Sequence, residues 1–325
     1  MLLSFYSCDS FLPYFRMVCV STISGEDNAQ ENTHKISIID NITMEPVPYA
    51  MVSFGHTNGV YSDANGQFRL TKELTDIIAI SHLSYKDTIV MASEIVDDII
   101  FLTPISYSLS EVVVTKFTGP LSKKGTTEGK HHSSYAPLPF TINALFIPYD
   151  ESWVEAPQVS EIFLDLNFSG NSNATIQYYL SMPDPTTGNP NGKALTKQEQ
   201  LYLDRRDNKI KNRYYSMVEE PFLLPRTGMF IVFFVADPSF SYTEMLSVWG
   251  TKKFKMAKYM PYGFYLTGKT KEPRSWSFNV YSEGSTWSIH DHTDADWNKM
   301  GKEMKVGNEG TVFNFMGGVI LQLPK

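Results

Sequence analysis

Cysteine is nearly absent. Cys8 and Cys19 are the only two in 325 residues, so no disulfide framework and no cysteine-based zinc site can form beyond Val20. Charge is scarce too: charged residues make up 19% of the chain, against 42% hydrophobic and 14% aromatic. The net charge is −7 and there is no long basic run. That removes the electrostatic footprint of a nucleic-acid binder, and of a protein held on an anionic membrane surface. No stretch after the N-terminus approaches the roughly 18 apolar residues of a membrane-crossing helix, so no transmembrane span is expected. Catalytic signatures are missing as well. G-x-S-x-G, H-E-x-x-H, G-x-G-x-x-G and a phosphate-binding loop do not occur. The reading is therefore non-enzymatic, with no catalytic residues, no cofactor and no nucleic-acid partner.

What is abundant is aromatic: 21 Phe, 18 Tyr and 5 Trp. Residues 33–115 read as one small β domain. Ala50, Val52 and Phe54 share one face of a period-two strand, and Phe68 and Leu70 share another. Asn58-Gly59 and Asn65-Gly66 are predicted tight turns, because Asn and Gly tolerate the positive φ that such turns need. Asp76–Ser81, Thr88–Met91, Ile99–Leu102 and Glu111–Thr115 supply further strands, about seven in all, which fits a sandwich. Residues 1–32 fit either a degenerate secretory signal or a disordered or strand-forming extension: the segment is apolar, but Asp9, Pro13 and Arg16 interrupt it.

Residues 116–138 are rich in Gly, Ser, Thr, Lys and Pro and lack periodicity, which predicts a flexible linker. Residues 139–325 read as a larger β domain. Ile162, Leu164, Leu166 and Phe168 alternate with Phe163, Asp165 and Asn167. Met229–Ala236 is almost wholly apolar and predicts a central strand covered on both faces. Leu195–Arg206 has helical potential but is also compatible with a strand and turn. A jelly-roll-like antiparallel sandwich accommodates these strands.

Several motifs in the first domain occur in a specific order. Ile38-Ile39-Asp40 opens a strand; Pro46, Ala50 and Val52 form P-x-x-x-A-x-V; Ser62-Asp63-Ala64-Asn65-Gly66-Gln67-Phe68 forms S-D-x-x-G-x-F. Ile80-Ser81-His82-Leu83-Ser84-Tyr85-Lys86 follows I-S-x-x-G-Y-K with Ser84 in the Gly place, and Leu109–Thr115 follows L-x-E-V-V-V-T. In these residues the domain resembles the carboxypeptidase-regulatory-like (transthyretin-like) domain of Bacteroidota envelope proteins. The resemblance implies a seven-stranded sandwich and an envelope or secreted location, and no substrate. A similar domain precedes many outer-membrane transporters, but too little chain follows here for their barrel. The second domain is similar, more loosely, to uncharacterised envelope proteins through Ala144-Leu145-Phe146-Ile147-Pro148, the turn Thr187-Gly188-Asn189-Pro190, and Leu224-Pro225-x-x-Gly228-x-Phe230.

Candidate sites are few. His290 and His292, two apart in a strand, would share a face and could hold a metal with Asp294 or Asp296. That would suit a metal-dependent hydrolase, whereas the plain alternative is a solvated loop. Asp63-Ala64-Asn65-Gly66 imitates the start of a calcium loop, yet the acid needed further on falls at Lys72, beside Glu73, so a capped turn is the better reading. Glu219-Glu220 and Asp150-Glu151 are adjacent carboxylates, which strand geometry would point to opposite sides. Trp249, Trp287 and Trp297 adjoin polar loops and are candidates for stacking on a glycan, although large aromatics more often fill sandwich cores. The expected role is a structural or binding module of the cell envelope, or a secreted one, whose partner is an envelope protein or a glycan contacted by the second domain.

Overall fold

Period-two patterning builds the first module. In β1 (Thr33–Asp40), Ile36 and Ile38 are buried and Lys35 is exposed. Then come β2 (Met51–Phe54), β3 (Asn58–Tyr61), β4 (Gln67–Thr71), β5 (Ile77–Ser81), β6 (Thr88–Met91) and β7 (Ile99–Leu102). They form two sheets, β4-β1-β7 and β3-β2-β5-β6. Ile38, Val52, Phe54, Phe68, Ile80 and Leu102 pack between them. This is a β-sandwich, as expected, with seven strands among the described residues and one parallel pairing, β1 with β7. The computed structural model describes residues 33–54, 58–71, 77–105, 117–126, 131, 133–137, 140–168, 173–190, 192–201, 212–240, 262–267, 270–280, 286–289 and 312–325. The expected exit strand Glu111–Thr115 lies outside them.

The two Asn-Gly pairs fold differently. At Asn65-Gly66 the chain turns between sheets: Gly66 has φ +70, and a Cβ there would sit 2.8 Å from the Ile38 carbonyl oxygen. Asp63 Oδ1 accepts from the amides of Asn65 and Gln67, each at 2.9 Å. Its carboxylate thus caps a turn. Asn58-Gly59 is not a turn. Ser53 pairs with Gly59 and Phe54 with Asn58, so both residues lie inside β3 and the connection is 55–57. Pairing with β2 outweighed local turn preference.

The second module is larger. Its strands are β8 (Leu121–Thr126), β9 (Ser133–Tyr135), β10 (Thr141–Ile147), β11 (Gln158–Phe168), β12 (Thr175–Ser181), β13 (Glu199–Gln200), β14 (Arg213–Leu223), β15 (Met229–Ala236), β16 (Tyr262–Leu266), β17 (Ser275–Asn279), β18 (Ser288–Ile289) and β19 (Gly317–Gln322). One sheet runs β13-β12-β15-β10-β17-β18, and the other β8-β19-β11-β16-β9 with β14 also on β11. Every pairing within these two sheets is antiparallel among the described residues. Between the sheets lie Leu145, Ile162, Leu164, Tyr178, Ile231, Phe233, Phe264 and Val319. The arrangement is the jelly-roll-like sandwich read from the sequence.

Two stretches differ from expectation. Residues 116–138, expected to be a flexible linker, supply β8 and β9, which pair with β19 and β16. The polar, Gly-containing β8 serves as an edge strand, where one side needs no partner and apolar periodicity is unnecessary. Leu195–Gln200 is not helical: Glu199–Gln200 pairs with β12, and 202–206 lies outside the described residues. Tyr262 and Phe264 are core.

The modules pack directly, and Thr33–Lys325 forms one compact unit. β15 presents Met229, Ile231 and Phe233 to the sandwich core, and Phe230, Val232 and Phe234 to the opposite side. It is thus a central strand apolar on both faces, as predicted. Met51, Tyr61 and Leu83 of the first module join the cluster on that outer face. Tyr61 stacks on Phe140 at 4.5 Å and 3°, and the Phe140 amide donates to the Tyr61 hydroxyl at 2.7 Å. A second bond runs from the Gln198 amide to Ser84 Oγ, 3.0 Å. Ser84 is the residue standing where the motif has Gly. Tyr49 and Phe140 have φ 58 and 64, a left-handed backbone that costs a non-Gly residue about 1–3 kcal/mol and persists where packing over-determines it. Both sit in this interface cluster.

Candidate functional site at one end of the second sandwich

Most of the sequence candidates, His290, His292, Asp294, Asp296, Trp249 and Trp297, lie outside the described residues. Trp287 is described. It is half-buried, 5.6 Å from the Phe278 ring, and packs against the cluster beneath the first module. Its main surroundings are therefore protein. Among the described residues no group of three or more His, Asp, Glu or Cys side chains could hold a metal.

A different constellation forms where two of the loosely matched motifs of the second module, 144–148 and 224–230, meet. The turn Pro225–Gly228 is closed by the Gly228 amide donating to the Pro225 carbonyl at 2.9 Å. Gly228 has φ +75, and a Cβ there would lie 2.6 Å from the Phe146 ring and 2.7 Å from the Ile147 carbonyl oxygen. Only glycine lets the turn sit this close to the end of β10. Leu224 is tied to the neighbouring loop through its amide and the Pro157 carbonyl, 2.8 Å. As a result the Arg226 guanidinium lies over the Tyr149 ring, 5.6 Å from its centroid.

The loop from Pro148 to Pro157 is organised by one carboxylate. Asp150 Oδ1 accepts from the Ser152 amide at 3.1 Å and its hydroxyl at 2.7 Å, and Oδ2 accepts from Lys124 Nζ at 2.9 Å. The Ser152 hydroxyl, Lys124 and the Ser152 amide hold the Asp150 pKa down to about 2. This turn presents Trp153, whose ring meets Tyr149 edge to face at 5.3 Å and 87°. Lys124 Nζ lies 5.1 Å from the Trp153 centroid. Trp153 is half-buried, whereas the next residue, Val154, is 91% exposed. The Tyr149 hydroxyl is buried without a hydrogen-bond partner among the described residues. Arg226, Glu151 and Glu155 are exposed.

In sequence Asp150-Glu151 reads only as a carboxylate pair, and no motif singles out Trp153. The available signal was an aromatic pair, Tyr149 and Trp153, in a loop bracketed by Pro148 and Pro157 and headed by a turn-forming Asp.

A second polar group occupies the outer face of the β11–β14 ladder. Asp165 and Arg213 are cross-strand partners, joined by bonds of 2.6 and 2.8 Å, and both are buried. Burial works against the charge on Arg213, but the hydrogen bonds and charge of Asp165 outweigh it and hold its pKa above the ordinary value. Arg213 covers the Phe163 ring at 4.7 Å. Lys123 donates to the Tyr215 hydroxyl at 2.9 Å. His131 Nε2 stands 3.4 Å from Asp165 Oδ2, with its ring stacked on Tyr265 at 3.8 Å. Among the described residues these side chains partner one another, which gives the ladder the character of a structural brace. Elsewhere the Tyr178 hydroxyl donates to Glu199 at 2.5 Å. Burial, ahead of the Tyr178 bond that opposes it and the nearby Glu219 that adds to it, raises the Glu199 pKa.

No protein-family model matches the chain, and no curated protein matches it.

Proposed function

We propose that this chain is a non-catalytic binding module of the cell envelope, or secreted, in which the first sandwich is a fixed brace and the second contacts the ligand. The observation that carries this reading is the seat of the first module. Its Met51, Tyr61 and Leu83 are spent on the apolar outer face of the β10–β15 sheet, whereas the loops at the end of the second sandwich present Trp153, Val154 and Arg226 to solvent. The resemblance of residues 33–115 to the carboxypeptidase-regulatory-like domain supports the envelope location. Surplus aromatic and cationic groups on loops held by a rigid sandwich suit ligand contact.

The test has two parts. Fractionation of cells expressing the full chain should place it in the envelope or the medium; a cytosolic location removes the envelope reading. Purified full chain incubated with a panel of envelope polysaccharides should bind without releasing new reducing ends, and steady product release would replace a binding role with a catalytic one.

A further inference from the structure

We infer that Trp153, Tyr149, Lys124 and Arg226 form a subsite for a neutral pyranose sugar, an inference that rests on the binding reading above. The first argument is shape and surface. A sugar ring has apolar C–H faces and an equator of hydroxyls, so it needs an aromatic edge or face beside polar groups of both kinds. Here a half-buried Trp and a Tyr stand edge to face, next to an exposed guanidinium.

The second argument is charge balance. Lys124 is neutralised by Asp150, and the loop that carries Asp150 also bears the exposed Glu151 and Glu155. An acidic ligand would meet three carboxylates against two cations, whereas a polyol takes hydrogen bonds from Arg226 and Lys124 and gives them to the carboxylates. The third argument is the Tyr149 hydroxyl, which is buried with no partner among the described residues. A buried hydroxyl without a partner is unfavourable, and a sugar hydroxyl entering beneath Arg226 would satisfy it. The site is also held in place before any ligand arrives. Asp150 fixes the Trp153 turn through Ser152 and Lys124, and Gly228 fixes the Arg226 turn against Phe146. Preorganisation of this kind lowers the ordering cost of binding.

Isothermal titration of the full chain with a panel of neutral oligosaccharides (gluco-, manno-, xylo- and galacto-configured), and with polygalacturonate as the acidic counterpart, tests the assignment. Expected is saturable binding to at least one neutral oligosaccharide that barely changes between low and high salt. Trp153→Ala should weaken it about tenfold or more, as loss of a stacking ring does, Arg226→Gln should weaken it less, and Trp153→Phe should restore much of it. Thermal melts of each variant confirm that the fold is kept. If binding survives Trp153→Ala and Arg226→Gln but is lost in Trp287→Ala, the glycan reading stands and this site is overturned. Salt-sensitive binding of polygalacturonate alone overturns the neutral-sugar assignment. Absence of binding to every sugar overturns both the site and a glycan role for the module.

Discussion

The two outer faces of the second sandwich have solved the same problem in opposite ways. On the β10–β15 sheet the outer face carries Phe230, Val232 and Phe234, and the first module packs on it through Met51, Tyr61 and Leu83. On the β11–β14 ladder the outer face carries Phe163, Asp165, Arg213 and Tyr215. There a bidentate ion pair and a lysine cover the aromatic rings from within the same sheet. One face is stabilised by a neighbouring module and apolar contact, the other by side chains that bring both a stem and a charge. An apolar outer face implies a partner, whereas an outer face bearing Arg and Asp at paired positions can close itself.

The largest effect should come from breaking the self-closed face. Asp165→Ala leaves the Arg213 charge buried without its partner, and should lower the unfolding free energy in denaturant by about 3–5 kcal/mol. The paired change Asp165→Leu with Arg213→Met should recover most of that loss, because the desolvation cost leaves with the charges. If the double variant is as unstable as the single one, the pair is doing more than satisfying itself.

A smaller effect is expected on the covered face. Tyr61→Phe keeps the ring against Phe140 but removes the hydroxyl that accepts from the buried Phe140 amide, at a cost of about 1–3 kcal/mol. Calorimetry of the full chain should still show the two modules melting in one transition. Two resolved transitions in the wild type would contradict the idea that the first module is a brace.

The last effect concerns pH, and starts from the first module. Burial, partly offset by a hydrogen bond to the Pro48 backbone, pushes the His82 pKa down from 6.5 to about 4. Its Nδ1 accepts from the Ser84 amide at 3.0 Å, which requires the neutral ring. Because the folded pKa lies below the unfolded one, the unfolded chain binds the proton first. The stabilising contribution is complete above pH 6.5 and is lost as pH falls through about 4. Urea midpoints measured across that window should fall more steeply for the wild type than for His82→Phe, and equal slopes would show that another group carries the dependence. His82 lies two residues before Ser84, so acidification should loosen the module contact before it touches the Asp165–Arg213 face.

Much of the strand content could be read directly. The alternation of Ile162, Leu164 and Leu166 against Phe163 and Asp165, and the doubly apolar Met229–Ala236, both appear as expected. So do motif residues that meet in space: Asp40 of the Ile38-Ile39-Asp40 strand accepts from the Tyr85 hydroxyl of the later motif at 2.9 Å. Burial opposes the charge on Asp40, but the Thr43 and Ile42 amides and Tyr85 outweigh it and keep its pKa below the ordinary value. The candidate site was not legible. Tyr149 with Trp153, Lys124, and Arg226 come from three separate stretches, brought together by the pairing of β10 with β15, that of β8 with β19, and the close seat of Gly228.

The sequence by itself determined the β class, the alternating strands, and the capped turn at Asp63–Gly66, because each depends on contacts within a few residues. Tertiary structure decided the rest. It placed Asn58-Gly59 inside a strand although the identical pair at Asn65-Gly66 turns, since cross-strand register outweighs local preference. It drew residues 121–126 and 133–135 into sheet edges, where backbone hydrogen bonding needs no apolar pattern. It also chose the first module as the cover for Phe230 and Phe234. An apolar face states in sequence only that it must be covered; which surface covers it depends on long-range complementarity that no local pattern encodes.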